Sequence, residues 1–181
     1  QAEMINRELQ RRQVGYGSGG RMHIEQDEVY ISAGLMNGLT TGGPIALTVQ
    51  NRDFKNWKTR DIAPMTTPRP GHADLTGAVK YGYRELRLGL ERSSARETTM
   101  RVAVGAVCKA LLAQFGIEVL AYTTQIGDVK AALPEQPDYR ALFAIAEAND
   151  VRCPDERVID AMHEAIRQVK IDKDTLGGVF E

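Results

Sequence analysis

The chain has 181 residues, 43% of them apolar and 26% charged; this is the balance of a single globular domain over 1–181 and excludes a disordered or low-complexity protein. Its net charge of -1 hides an asymmetry, since residues 1–101 carry 15 Arg plus Lys against 11 Asp plus Glu while residues 102–181 carry 8 against 13; the first half is the anion-facing half. Two cysteines, Cys108 in an apolar helical run and Cys153 just before Pro154, exclude a disulfide framework or a zinc site at this spacing and fit a reducing cytoplasm.

In chain order, a helix is predicted over 2–12 with Ile5 and Leu9 on one face, closing in the glycine loop Gly15-Tyr16-Gly17-Ser18-Gly19-Gly20. Segments 21–25 and 28–32 alternate like a hairpin, and 44–50 places Ile45, Leu47 and Val49 on one side of a strand. From 52 to 74 the chain is rich in charge and proline with little periodicity, and so long a connection is more often functional than idle. A helix then runs from Ala95 to a glycine cap at Gly116, apolar almost all round over 100–115, which suits a place between layers. Segment 117–126 reads as a strand and 139–149 as a helix. Residues 155–169 read as an amphipathic helix with Val158, Ile159, Met162, Ile166 and Val169 inward. Hairpin-like strands with separately placed helices predict an α+β layered domain. The longest apolar run, 102–113, is broken by Gly105 and Lys109 and is too short to span a bilayer, and no signal-peptide pattern opens the chain, so no membrane is expected. The chain starts at Gln1 and stops at 177–181 just as a strand-like pattern begins, so both ends read as cut.

Two segments carry candidate chemistry. In Pro68-Arg69-Pro70-Gly71-His72-Ala73-Asp74, the prolines brace a loop, Gly71 permits a tight turn, and Asp74 is placed to orient the His72 imidazole as a proton donor or acceptor. A histidine that merely bonds nearby backbone reads the same way. In Arg92-Ser93-Ser94-Ala95-Arg96-Glu97, Ser94 and Glu97 have the spacing of a capping box at a helix start. Arg92 and Arg96 flank it, and with the helix dipole they make a seat for phosphate or carboxylate. The plainer reading is an ordinary cap with two solvated arginines, muted by Glu91 and Glu97. Arg outnumbers Lys 16 to 7, as expected where planar anions are held in fixed orientation, although a compositional preference for Arg gives the same count. Gly15, Gly17 and Gly20 match G-x-G-x-x-G, but they follow a helix and precede a strand, which excludes a Rossmann site. The loop, flanked by Arg12 and Arg21, either admits an anion or is a flexible turn. His23 reads as a strand surface residue and His163 as a partly exposed helix residue, neither catalytic. With few aromatics among the arginines and no net basic charge, nucleic acid is not an expected partner. No metal site is expected.

The blocks Asn6-Arg7-Glu8-Leu9 through Arg12-Gln13, Gly15-Tyr16-Gly17, Gly20-Arg21-Met22, Thr40-Thr41-Gly42-Gly43-Pro44-Ile45, Pro68 through Asp74, Lys80-Tyr81, Glu91 through Thr98, Arg101 through Ala106 and Asp174-Thr175-Leu176-Gly177-Gly178-Val179 resemble chorismate synthase in order and nearly end to end. The resemblance implies a β-α-β sandwich, here incomplete, commonly assembled as a homotetramer. It also implies the last step of the shikimate pathway, a 1,4-anti elimination of phosphate from 5-enolpyruvylshikimate 3-phosphate. Reduced FMN is the implied cofactor, with NADPH reducing the flavin in some members. By the same resemblance His72 is the acid beside the flavin, and Arg12, Arg21, Arg69 and Arg96 are substrate-binding. Arg92, Ser93 and Ser94 are cofactor-binding. Three departures follow from the comparison of motifs. Ser18 stands where a further arginine is usual, and Glu85 where an Asp is usual. The Gly-Glu-Ser-His-Gly segment that normally precedes Gln1, and the later half with most flavin loops, are not in the chain. The 181 residues alone are therefore expected to be inactive, and the alternative reading is a non-catalytic anion-binding or assembly module on the same scaffold.

Overall fold

The computed structural model of the protein describes residues 2–17 and 25–181. These group into two compact units, one formed by 2–12 with 25–111 and the other by 13–17 with 112–181. Helices and small antiparallel sheets together make the mixed α+β class expected.

The first unit opens with α1 (Ala2–Gln13), whose Ile5 and Leu9, one turn apart, are fully buried. Asn6 Oδ1 accepts the Val29 N–H at 2.8 Å and so ties this helix to the start of β1 (Val29–Ala33). The hairpin predicted over 21–25 and 28–32 falls partly outside the described residues. The partner that β1 shows is β4 (Ala46–Val49), antiparallel with Val29 opposite Val49 and Ile31 opposite Leu47. As predicted, Ile45, Leu47 and Val49 turn inward; Ile31, Leu47 and Val49 pack against Ile5, Leu9, Val29, Ala103 and Ala106 to form the core. Between the two strands lies a hairpin the periodicity did not reveal, β2 (Leu35–Met36) and β3 (Leu39–Thr40). Its turn is Asn37-Gly38, both at positive φ (49° and 81°), the pair that matches strand twist in a two-residue loop. At Gly34, with φ 90°, a Cβ would lie 2.6 Å from both Ile45 Cα and the Pro44 carbonyl, so only glycine fits where the chain doubles back.

The connection after β4 is irregular, as expected, apart from a 3-10 turn at Arg52–Asn56. Two short helices then follow that were not predicted, α2 (Asp74–Tyr81) and α3 (Arg87–Arg92). They cross where Gly77 faces Gly89, with room for about a methyl group between the main chains, since a Cβ on Gly77 would stand 3.4 Å from Gly89 Cα. The same glycines weaken helix propensity and erase the apolar periodicity. The long helix α4 (Ala95–Ala113) buries Thr99, Ala103 and Ala106, while Val104 and Leu111 are 52% and 61% exposed, so one face alone is covered in place of burial between two layers. Its glycine cap is present: Gly116 has φ 70° and the Leu112 carbonyl accepts the Ile117 N–H at 3.1 Å.

In the second unit the strand predicted over 117–126 forms only as β5 (Thr123–Ile126), flanked by β6 (Val129–Lys130) and β7 (Gly178–Phe180) in an antiparallel sheet. Helix α5 (Tyr139–Glu147) is capped by Asp138, which accepts from the Arg140 and Ala141 N–H groups, both at 3.1 Å. A 3-10 turn at Glu156–Val158 leads into α6 (Ile159–Asp172). There Met162 is buried with Ala131, Val151 and Cys153, and Val158, Ile159 and Ile166 pack around them as predicted. His163 on α6 stacks on Tyr16 at 4.0 Å and bonds Asp150 at 2.7 Å.

Candidate functional site

The braced loop before α2 organises Arg69 and leaves His72 free. Asp74 is the first residue of α2 and fully buried, and its carboxylate accepts the Arg69 backbone N–H at 3.0 Å and the Nε and Nη2 of the same guanidinium at 2.9 Å each. This two-pronged pairing holds the Asp74 carboxyl down at about 2, with His72 contributing only as a nearby charge. The expectation that Asp74 orients His72 is corrected: the carboxylate is filled by Arg69, and among the described residues the exposed His72 ring makes no hydrogen bond. In the other unit Asp155 is held down to about 2 by Arg157 and by the Ala132 N–H. Folding lowers both carboxyls from 3.8, so their stabilisation is complete above that value and is lost as pH falls through about 2. Acid unfolding monitored by circular dichroism is expected to steepen in this window, and Asp74→Asn is expected to flatten it. An unaltered profile in that variant would remove Asp74 from the account.

Glu85 acts as a clasp. Its carboxylate accepts the Met65 N–H at 2.9 and 3.1 Å and the Arg87 N–H at 3.0 Å, which pins the irregular connection to the start of α3 and lowers the Glu85 pKa. The Arg87 guanidinium adds a bond to the Ala63 carbonyl at 3.1 Å.

At the start of α4 half of the predicted capping box is present. Ser94 Oγ accepts the Arg96 N–H at 3.2 Å, but Glu97 turns away to Arg101 one turn on, at 2.8 and 3.2 Å. An i,i+4 cation with two guanidinium donors outcompetes one backbone N–H for that carboxylate. Ser93 Oγ donates back to the Gly89 carbonyl at 2.7 Å, fixing the joint between α3 and α4. Arg92 reaches the other way: its Nε donates to Tyr81 Oη at 3.1 Å and its guanidinium lies 5.0 Å from that ring's centroid. The Arg92 bond, then the Arg92 and Lys80 charges, lower the Tyr81 pKa. Lys80, Tyr81, Arg92, Ser93, Ala73 and Gly77 line a cleft of about 230 Å³ beside these groups.

Arg12 and Arg96 meet at a residue that sequence reading passed over. Asp27, with its side chain fully buried, accepts Arg12 Nη1 at 3.0 Å on one oxygen and Arg96 Nη1 on the other. Arg12 Nη2 bonds the Ala95 carbonyl at 2.7 Å, Arg96 Nη2 bonds the Gln50 carbonyl at 3.1 Å, and Glu25 stands 3.6 Å from Arg96 Nη1. Two arginines 84 positions apart in the chain are thus locked together at the N-terminus of α4. The available signal was the pair Glu25-x-Asp27, two acids on one face of an extended segment within a basic half. Arg21, Ser18 and His23 lie outside the described residues. Among the described residues no group of three or more His, Cys, Asp or Glu side chains is placed to hold a metal, and no helix is long and apolar enough to cross a membrane.

The described residues thus define an α+β protein with arginines held rigidly around a loop–helix junction, a donor set suited to anionic ligands. A chorismate synthase family model matches residues 1–181. The chain is 50% identical to chorismate synthase of Geobacillus kaustophilus, covering 99% of this chain and 49% of that protein, and 48% identical to the Enterococcus faecalis enzyme over the same shares. A crystal structure of chorismate synthase superposes with a TM-score of 0.74 at 36% identity, covering 99% of this chain and 48% of that one. The chain belongs to the chorismate synthase family, and it spans about half the length of the curated relatives it matches.

Proposed function

We propose that this chain carries the arginine-rich part of a chorismate synthase, a carbon–oxygen lyase that eliminates phosphate from 5-enolpyruvylshikimate 3-phosphate in the shikimate pathway. The observation that carries the reading is the Arg12–Asp27–Arg96 lock at the start of α4, found in a chain whose whole length matches that family. Guanidiniums fixed before the ligand arrives present their remaining donors without further loss of side-chain freedom. Arg12, Arg21, Arg69 and Arg96 hold the substrate's anionic groups, and Arg92, Ser93 and Ser94 hold the cofactor. The donors left at this helix joint fit the phosphate of FMN: Arg92 beside the open cleft keeps its terminal nitrogens, and Ser94, which only accepts from the Arg96 N–H, keeps its own O–H, while the Ser93 O–H is taken by the Gly89 carbonyl. Reduced FMN, when bound, supplies transient electron density for the departure of phosphate. His72, exposed on a loop whose base is fixed by the Arg69–Asp74 pair, delivers or holds a proton at the flavin side.

The rest of the reading follows from the family: one domain over 1–181 contributing to a β-α-β sandwich, a homotetramer, NADPH as a source of reducing equivalents in some members, and a cytoplasmic location. The half-exposed apolar face of α4 agrees with a sandwich in which a further layer covers it. Anaerobic assay with the substrate and reduced FMN tests the function. The protein extended to the length of its relatives is expected to form chorismate, and the 181-residue chain to bind phosphate without turnover. No chorismate from the extended protein would overturn the assignment.

A further inference from the structure

Arg12 and Arg96 give guanidinium donors to Asp27, and Arg69 gives two to Asp74. Arg92 differs. Its Nε donates to the phenol oxygen of Tyr81, and among the described residues neither Nη1 nor Nη2 of Arg92 makes a hydrogen bond. The Tyr81 ring under the guanidinium is itself held, with Tyr83 stacked at 5.5 Å and Lys80 Nζ 5.3 Å from its centroid. A phenol is a neutral acceptor, so it fixes the plane of the guanidinium without cancelling its charge, as a carboxylate would.

We propose that Tyr81 is a positioning residue for Arg92, holding its guanidinium so that the Nη1–Nη2 edge meets two oxygens of a phosphate monoester entering the adjacent cleft. The proposal rests on the reading of Arg92 as a ligand-holding residue and names the ligand group it takes. Tyr81 touches no reacting atom and acts only through Arg92. The Lys80 ammonium on the same ring adds positive charge at the cleft wall. The lowered Tyr81 pKa agrees with a phenol facing two cations. A phosphate dianion seated on Arg92 draws that field to itself, so the phenol pKa rises when the seat is filled.

The test titrates the 181-residue chain with inorganic phosphate, following the Arg92 Nε–H resonance by NMR, and with FMN, following flavin fluorescence. Tyr81→Phe keeps the ring and its stacking, and is expected to leave the thermal midpoint unchanged while weakening phosphate about 5- to 10-fold, the scale of one misaligned charge-assisted contact. Arg92→Lys is expected to weaken it at least as much, and Tyr81→Phe in the Arg92→Lys background to add nothing, because the phenol then has no guanidinium to orient. Phosphate saturation is expected to raise the Tyr81 phenol pKa, read as the difference in phenolate absorbance between the wild type and Tyr81→Phe. Weakening of FMN parallel to that of phosphate places the flavin's phosphate in the seat, and weakening of phosphate alone places the substrate's there. Unchanged phosphate affinity in Tyr81→Phe with loss in Arg92→Lys would overturn the positioning role. Unchanged affinity in Arg92→Lys would overturn the reading of Arg92 itself.

Discussion

Replacing Asp27 with alanine is expected to destabilise the protein by about 3–5 kcal/mol, the cost of leaving Arg12 buried without its counterion and Arg96 with only Glu25, 3.6 Å away. Its side chain has no exposure, and the Arg12 and Arg96 side chains it joins are only 13% and 17% exposed, so solvent screens little of the charge left behind. The damage reaches four segments at once. Arg12 closes α1, Asp27 precedes β1, the Gln50 carbonyl follows β4, and Arg96 opens α4, so the loss spreads over the main core of the first unit. Asp27→Asn keeps the shape but removes the charge and one accepting oxygen, and is expected to fall between alanine and wild type. Denaturant midpoints at constant slope measure the difference. A loss below about 1 kcal/mol in Asp27→Ala would show the lock to behave as a surface ion pair.

The second large effect concerns chemistry and leaves the fold alone. His72→Ala, in the protein extended to the length of its relatives, is expected to lower turnover with supplied reduced FMN by about 10²- to 10⁴-fold, the usual weight of a positioned acid or base. Stability is expected to stay near wild type because the exposed ring makes no hydrogen bond among the described residues, and the loop is held by Arg69 and Asp74 instead. That separation makes the measurement clean. Full turnover in the alanine variant would return His72 to a loop residue without a chemical role.

Where local pattern and tertiary packing agree, the elements were legible. Ile5 and Leu9 on α1, the Leu47/Val49 alternation of β4, and the Val158 to Ile166 stripe leading into α6 each declare a face that the core then covers. The Gly116 cap is likewise local chemistry. The Asn37-Gly38 hairpin carried a known signal but had strands of two residues, too short to show alternation. Helices α2 and α3 are short and interrupted by glycine, and segment 117–121 had apolar residues but is paired in no sheet among the described residues, the pairing starting only at Tyr122, which exchanges backbone bonds with Glu181. Within the candidate site, the residue types were legible and the pairings were not. Asp74 sits two positions from His72 yet binds Arg69, because a guanidinium offers a fork that an imidazole does not. Asp27 finds Arg96 from 69 positions away, a choice made by burial that no local pattern records.

The Gly77–Gly89 crossing sets a tolerance for the cleft beside it. Most helix pairs touch through side chains that swing between rotamers, and their separation breathes with that motion. Here neither helix carries a side chain at the crossing point, so the spacing between Tyr81 on one helix and Arg92 on the other depends on no rotamer there. Inheritance is graded in the same way: a methyl group gained at Gly89 would meet the Asp74 carbonyl at 3.6 Å and Gly77 Cα at 3.8 Å, ordinary contact that leaves the spacing as it is, whereas a longer side chain there would carry atoms beyond that contact and push the helices apart.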